Sequence, residues 1–178
     1  MTPPTFHTQR LTLGPLAQAH VDAFIAFCAT EDSRFLGGPA DRADAWEGAV
    51  LSAGQWVLRG YGYFWLSETE SGLPVGRVGI THPDHWPEAE LAWTIYPAFQ
   101  GRGYATEAAL FARHWAARER GLGPLMSLIH QDNAPSIRVA EKLGARLEKP
   151  HPNEDGKPIF VWRHPAESGQ APTFGVAQ

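Results

Sequence analysis

The sequence predicts one mixed α/β (α+β) domain, and three observations lead to that prediction. A chain of 178 residues, of which 43% are hydrophobic, can bury one well-packed core and is short for two. The predicted elements follow the order strand, two helices, several strands, helix, strand, helix, strands, which is typical of helices packed on a mixed sheet. Neither an internal repeat nor a recognisable linker divides the chain. We therefore expect about six to seven strands and about four helices.

The first third of the chain predicts a strand followed by two helices. The run "RLTLGPL" (10–16) alternates polar and apolar residues and turns at Gly14-Pro15, which indicates a short strand. The segment 17–30 places apolar residues at helical spacing. A break at "GGPADRAD" precedes a second helix, for which Asp41 or Asp44 is the candidate N-cap.

The middle of the chain is rich in strand signals. The runs "GYFWLSET", "GLPVGRVGITH" and "AELAWTIYP" read as strands, with a hairpin turn at Glu70-Ser71-Gly72. The aromatic run 61–65 is interpreted mainly as core, and the alternative is that one ring lines a pocket. A helix then extends to about Arg120, with Gly121 as its C-terminal cap.

The last third predicts a buried strand, a compact helix and two further strands. These are "PLMSLIH", "NAPSIRVAEKLG" with Asn133 as its cap, "ARLEK" and "PIFVWRH". The final segment lacks periodicity. We therefore expect a domain at 1–164 and a flexible C-terminal tail at 165–178.

The composition of the chain excludes some classes of binding partner and favours one kind of cellular compartment. A net charge of -4 and a charged fraction of 19% give no electrostatic footprint of nucleic-acid binding. The single cysteine, Cys28, excludes an internal disulfide and favours a reducing compartment. No apolar run approaches the ~20 residues that span a bilayer, and the N-terminus lacks a secretory pattern. We expect a cytoplasmic protein with neither a nucleic-acid nor a membrane partner.

The stretch "FQGRGYATEA" (99–108) places two glycines at the start of a predicted helix. The first N–H groups of a helix have no partner inside it, and the helix dipole makes that end partly positive. Gly101 and Gly103 clear the approach for an anion and tolerate positive φ, and Arg102 between them adds charge. The dinucleotide fingerprint is not met, because Thr106 stands where its third glycine belongs. The stretch therefore predicts a phosphate-binding loop, with a simple tight turn as the alternative.

Two motifs in order resemble the GNAT superfamily of acetyl-CoA-dependent N-acetyltransferases. The first is "AELAWTIYPAFQGRGYATEA", in which residues 100–105 match the family's acyl-CoA signature Q/R-x-x-G-x-G/A. The second is the helix "NAPSIRVAEKLGA". With "TQRLTL" near the start, the details are most similar to the branch that contains the ribosomal-protein N-terminal acetyltransferases. The resemblance covers residues 8–164.

The resemblance implies a fold and a cosubstrate. It implies a mostly antiparallel mixed sheet that splays between the strands near 90–96 and 124–130, with the pantetheine arm of acetyl-CoA in the gap. The residues that it places against acetyl-CoA are Trp93, Ile95, Tyr96, Gln100, Gly101, Arg102, Gly103, Tyr104, Ala105, Asn133 and Ser136. The alternative for Asn133 is that it only caps its helix, and the two roles are compatible.

Catalysis in this family requires a neutral amine and a protonated leaving thiolate. Glu90 is the candidate general base, and the alternative is a solvated edge carboxylate. Many relatives use a tyrosine of the late helix as the acid, but 131–144 contains none. Ser136 is the candidate catalytic substitute, with solvent as the alternative.

The loop "HPDHWPEAE" (82–90) raises two further questions, whether it binds a metal and whether it contacts the acceptor amine. The spacing of His82, His85, Glu88 and Glu90 fits no strong zinc pattern, so we expect no metal. His85 and Trp86 are candidate contacts for the acceptor amine, which is either a protein N-terminus or a small molecule. A non-catalytic acyl-CoA-binding or sensory domain is the alternative function. The resemblance also suggests a homodimer, which is frequent in this branch.

Overall fold

The computed structural model describes residues 2–152, 156, 158–167 and 175–176. The α-helices are α1 (Gln18–Cys28), α2 (Arg42–Arg59), α3 (Tyr104–Arg120) and α4 (Ala134–Lys142), and short 3-10 helices span Glu31–Leu36 and Pro97–Phe99. The strands are β1 (Phe6–His7), β2 (Leu11–Gly14), β3 (Tyr63–Glu68), β4 (Pro74–Thr81), β5 (Glu90–Ile95), β6 (Met126–His130), β7 (Arg146–Pro150), β8 (Ile159–Arg163) and β9 (Gly175–Val176).

All these strands form one sheet in the order β7-β8-β6-β5-β4-β3-β2-β1-β9. Every neighbouring pair is antiparallel except β5 and β6. The predicted mixed, mostly antiparallel sheet is therefore confirmed. The predicted count of six to seven strands is too low, because β1 and β9 have two residues each. A two-residue strand shows no alternation, so the sequence gives no signal for it.

Local capping sets the helix boundaries. The Asp41 carboxylate accepts the Asp44 N–H at 3.0 Å, so Asp41 is the N-cap of α2. The Asn133 side chain caps α4 by accepting the Ser136 N–H at 3.3 Å. Gly121 ends α3 with φ of 63°, a left-handed conformation that favours glycine.

The helices cover both faces of the sheet. On one face α3 packs Phe111 and Trp115 against Phe64, whose ring lies 5.9 and 5.1 Å from theirs. On the other face α1 packs Phe24 edge-on against Trp65 at 5.5 Å. These contacts with two consecutive residues of β3 fix α3 and α1 on opposite faces of the sheet.

The predicted splay between β5 and β6 is present. The two strands share one registered pair, Glu90 with Met126. Beyond it, two side chains replace the missing ladder bonds: Glu90 Oε1 accepts the Leu128 N–H at 2.8 Å, and Ser127 Oγ donates to the Leu91 carbonyl at 2.5 Å. The strands therefore separate without leaving those two buried main-chain groups unpaired.

The tail predicted as flexible lies mostly outside the described residues. Of 165–178, positions 168–174, 177 and 178 are not among them. Glu167 pairs with Arg113 and with His114, and Gly175–Val176 pairs with β1. None of the helices in the described ranges has the length and apolar character needed to cross a membrane.

We expect Ser127→Ala to destabilise the protein by about 1–3 kcal/mol, because it leaves the buried Leu91 carbonyl and the His164 Nε2–H without a partner. Urea unfolding measures the change. Ser52→Ala is the control: among the described residues its half-buried hydroxyl bonds only the Ala49 carbonyl within α2, so its loss is expected to change stability by less than about 0.5 kcal/mol. Equal stability of Ser127→Ala and wild type contradicts the role assigned to Ser127.

Candidate active site

A groove of about 360 Å³ runs along β5 where the sheet splays. Trp93, Thr94 and Ile95 all line it, although successive strand residues point to opposite faces. The groove is therefore open to both faces of the sheet at this edge. The predicted cosubstrate residues that line it are Trp93, Ile95, Gln100, Gly101, Gly103, Tyr104, Ala105, Asn133 and Ser136.

One end of the groove is the N-terminus of α3. Gly101 and Gly103 have φ of 76° and 84°, and a Cβ on Gly101 would meet no atom within 4 Å. The first helical N–H to find an acceptor is that of Glu107, which bonds the Gly103 carbonyl at 3.1 Å. The N–H groups of Tyr104, Ala105 and Thr106 have no acceptor among the described residues. This end of the groove, which we call the cradle (101–106), therefore offers free donors and a positive helix end.

Two carboxylates brace the cradle from outside the groove. Glu107 accepts from Thr8 Oγ1 at 2.6 Å and from Arg10 Nε at 2.8 Å, and Arg10 donates to the Arg102 carbonyl at 2.7 Å. Glu68, at the end of β3, accepts the Tyr104 hydroxyl at 2.6 Å. These charge-assisted bonds hold the loop open from β2 and β3.

Three of the predicted cosubstrate residues are oriented differently from the expectation. The Arg102 side chain turns away from the groove to Glu68 and the Ala98 carbonyl, so it adds no charge to the cradle. Gln100 uses its main-chain N–H on Pro97 and its side-chain amide on the Ile95 carbonyl at 2.9 Å. Tyr96 is buried against Phe27 and does not line the groove. Sequence reasoning had no access to these rotamers.

The start of α4 forms the wall opposite α3. Asn133 and Ser136 line the groove, and Arg138 and Lys142 follow along α4 at helical spacing. The two cations add positive charge to the wall of the groove. Tyr104 also lines it, but its hydroxyl is committed to Glu68, so Ser136 is the hydroxyl that α4 presents.

Glu90 is buried at the point where β5 and β6 part. Its side chain does not line the groove and the residue is 7% exposed. Burial raises the pKa of the Glu90 carboxyl to about 8, and the bond from the Leu128 N–H only partly opposes that rise. A carboxyl with this pKa exchanges its proton near neutral pH, which is a property of a general base. The expectation of a solvated edge carboxylate is wrong for Glu90.

The loop that contains His85 and Trp86 lies between β4 and β5, away from the groove lining. His82 in the same loop contacts the Tyr61 hydroxyl at 3.1 Å and the Trp86 carbonyl at 3.2 Å, which fixes the loop. Glu88 pairs instead with Arg163. Three of the four candidate metal ligands, His82, Glu88 and Glu90, thus have other partners, and the two candidate acceptor residues of the loop do not line the groove.

A different segment lines the end of the groove on the α1 side. It includes Phe27 of α1 and four residues of the following 3-10 helix, namely Asp32, Arg34, Phe35 and Leu36. Sequence reasoning missed them because "EDSRFLGG" carries neither strand nor helix periodicity. It also missed Arg10 and Glu107, which are 97 residues apart in the chain.

The chemistry of the groove fits acetyl-CoA. Free main-chain donors and the positive end of α3 suit its pyrophosphate, and the cations of α4 add to the same field. The apolar and peptide surface of Trp93 to Ile95 suits an extended amide-bearing arm. The lining of the groove continues from the cradle to Phe27 and Phe35 on the α1 side.

Comparison with known proteins places this geometry among acetyltransferases. A solved acetyltransferase from Agrobacterium tumefaciens superposes with a TM-score of 0.85 at 36% identity, covering 93% of this chain and 96% of that one. A ribosomal L7/L12 alpha-N-protein acetyltransferase in complex with coenzyme A shares the fold, with a TM-score of 0.70 at 16% identity over 87% of this chain and 93% of that one.

Sequence relatives agree over shorter segments. The L-2,4-diaminobutyric acid acetyltransferase of Streptomyces coelicolor is 38% identical over 85 residues, which are 44% of this chain and 49% of that protein. The chain spans 35–62% of the length of the curated relatives it matches. The model of the acetyltransferase (GNAT) domain matches residues 10–146, from the residue before β2 to the start of β7. Since that match covers more than half of the chain and includes the cradle and both strands of the splay, the chain belongs to the acetyltransferase (GNAT) family.

Proposed function

We propose that this enzyme transfers the acetyl group of acetyl-CoA directly to a primary amine while both reactants are bound. The observation that carries the proposal is the groove, which joins the cradle to the α1 side through the splayed sheet edge. The cradle amides would hold the pyrophosphate, and Asn133 and Ser136 would contact the cosubstrate from α4. We also propose that this enzyme is cytoplasmic and forms a homodimer.

Glu90 is the proposed base. The amine nitrogen attacks the thioester carbon, the C–S bond breaks, and the amine gives up a proton. Because Glu90 lies below the groove surface, we propose that this proton reaches its carboxylate through water. An α-amine with a pKa of about 8 needs little help, whereas a lysine-like amine near about 10 needs a base of this kind.

Ser136 is the proposed source of the proton for the leaving thiolate. The support for it is its position in the groove wall and the commitment of the Tyr104 hydroxyl to Glu68. For the acceptor we propose a primary amine of a small molecule or of a protein N-terminus. The name of the Streptomyces coelicolor relative adds L-2,4-diaminobutyrate to the amines worth testing.

A thiol-release assay with acetyl-CoA and a panel of peptides, amino acids, polyamines and L-2,4-diaminobutyrate tests the function. We expect turnover with at least one amine and identification of the acetylated nitrogen by mass spectrometry. Tight binding of acetyl-CoA without turnover of any amine contradicts the proposal and supports a non-catalytic binding domain.

We expect Gly101→Glu to weaken acetyl-CoA binding by at least about a hundredfold, because it sets bulk and negative charge beside the cradle amides. Calorimetry measures the affinity. Gly121→Glu is the matched control, since Gly121 has a similar φ of 63°, an equally open surrounding and a position at the other end of α3. If both variants lose the same affinity for acetyl-CoA, the Gly101→Glu substitution acts through backbone strain and not through the cradle, which contradicts the prediction.

We expect Glu90→Gln to lower kcat mainly above pH 8. Below its pKa of about 8 the Glu90 carboxyl holds its proton and cannot act as a base, so wild type and variant converge there. The measurement is the ratio of wild-type kcat to variant kcat across pH with one acceptor. Because the amine titrates in the same way in both assays, its titration cancels in this ratio. A ratio that does not change with pH removes Glu90 from the mechanism.

The same variant reports the Glu90 pKa without turnover. Between its ordinary value of 4.5 and about 8 the unfolded chain ionises Glu90 while the folded protein keeps the proton, so wild-type stability falls as pH rises through that window. Glu90→Gln lacks this term and retains an oxygen that accepts the Leu128 N–H. We expect the variant to gain about 4 kcal/mol of stability relative to wild type over the window, measured by urea unfolding. A pH-independent difference contradicts the raised pKa.

A further inference from the structure

Among the residues that the structure describes, Arg77 of β4 is a buried cation without an anionic partner. The residue is 8% exposed. Its guanidinium lies 4.3 Å from the ring centroids of Phe24 and Tyr63 and 5.6 Å from that of Trp65. In the part of the chain that the structure describes, neither a carboxylate nor any hydrogen-bond acceptor pairs with it, and its Nε is fully buried.

Aromatic faces attract a guanidinium, but they do not satisfy its N–H groups. A buried charge without a hydrogen-bonded partner is destabilising, so proteins seldom keep one without use for it. Arg113 shows the usual solution in this protein, because it has the same 8% exposure and pairs with Glu167 and with the Leu143 carbonyl. Arg77 departs from that solution.

A second unsatisfied polar group lies in the same cluster. The Tyr96 hydroxyl is buried and has no partner within the described ranges. Burial raises the pKa of Tyr96, while the charge of Arg77 lowers it, which means that the two groups lie within electrostatic reach of each other. A guanidinium and a hydroxyl, both donors and both unpaired, together call for one acceptor.

The cluster lies next to the end of the groove on the α1 side. Arg77 pairs with Thr94 across β4 and β5, so the two side chains share a face of the sheet, and Thr94 lines the groove. Phe27 both lines the groove and packs on the Tyr96 ring at 5.4 Å. Tyr63 and Trp65 also line a second cavity of about 220 Å³.

We propose that Arg77 binds a carboxylate of the acceptor, so that this enzyme selects amines that carry a carboxylate. The inference rests on the proposed function and names its substrate class. A planar guanidinium with free N–H groups matches a carboxylate. One buried cation balances one negative charge, which favours a carboxylate over a dianionic phosphate.

The test compares acceptors that differ only in the carboxylate. L-2,4-diaminobutyrate and 1,3-diaminopropane form the small-molecule pair, and peptides with Asp or Asn as the second residue form the peptide pair, which distinguishes the two sources of a carboxylate. We expect wild type to show a higher kcat/KM for the carboxylated member of at least one pair. Turnover of amines without any such preference overturns the inference while leaving the acetyltransferase function intact.

Variants of Arg77 assign the preference to this residue. We expect Arg77→Met to lower kcat/KM for the preferred carboxylated acceptor about ten- to hundredfold and to change kcat/KM for the counterpart without the carboxylate by less than about twofold. Arg77→Lys keeps the charge and is expected to keep part of the preference. Arg59→Met, which removes an arginine at the end of α2, controls for net charge. Acetyl-CoA affinity, measured by calorimetry, reports whether each variant is folded.

A binding measurement covers the case in which no amine is turned over. Each pair is titrated into the CoA-saturated protein by calorimetry. Binding of the carboxylated member that is lost in Arg77→Met supports the inference even though the transferase function has then failed. Equal effects of Arg77→Met on both members, or equal binding of both to wild type, assign Arg77 to packing of the aromatic cluster and overturn it.

Discussion

The exchange of two hydrogen bonds between β5 and β6 is the constraint on which the groove depends. A parallel pair of strands normally closes its ladder residue by residue, and here it stops after Glu90 and Met126. The Glu90 carboxyl takes over the Leu128 N–H, and the Ser127 hydroxyl takes over the Leu91 carbonyl. The sheet thereby opens beside Trp93 and Ile95 while the Leu128 N–H and the Leu91 carbonyl keep hydrogen-bond partners.

The same exchange buries Glu90 and His164, and burial moves the pKa of each away from its ordinary value. Burial at the splay keeps the Glu90 carboxyl protonated well above its ordinary range, with a pKa of about 8. Burial also lowers the pKa of His164 to about 4, so its neutral ring can donate from Nε2 to Ser127 Oγ at 2.9 Å. An oxygen of Glu90 accepts the Leu128 N–H whether or not the carboxyl is ionised. The group proposed as the base can therefore exchange its proton without collapse of the splay.

Local signals predicted most of the fold. Seven strands and four α-helices follow from alternation, helical spacing and caps such as Asp41, Asn133 and Gly121, all of which act over a few residues. The positive φ of Gly101 and Gly103 follows from the same kind of local argument. β1 and β9 were missed because pairs of residues carry no periodicity.

The parts of the site that the sequence did not predict depend on contacts between distant segments. The turn of Arg102 toward Glu68, the burial of Glu90 and the unpaired state of Arg77 are set by which side chains meet in the folded protein. The 3-10 helix Glu31–Leu36 enters the groove only because α1 is fixed by Phe24 and Trp65. The loop with His85 and Trp86 was chosen for its polar and aromatic side chains, whereas its position depends on the hydrogen bonds of His82.

The cradle depends on a contact between two distant segments of the chain, the ion pair between Arg10 and Glu107. Ninety-seven residues separate these two partners, and the loop they close contains α1, α2 and the strands from β2 to β5. Closing a segment of that length carries an entropic cost that must be met before the contact forms. The loop at 101–106 therefore has this support only when the start of β2 lies beside α3, as it does in the folded protein. A fragment limited to α3 and its preceding loop would contain every glycine of the motif and still lack the support that holds them in place.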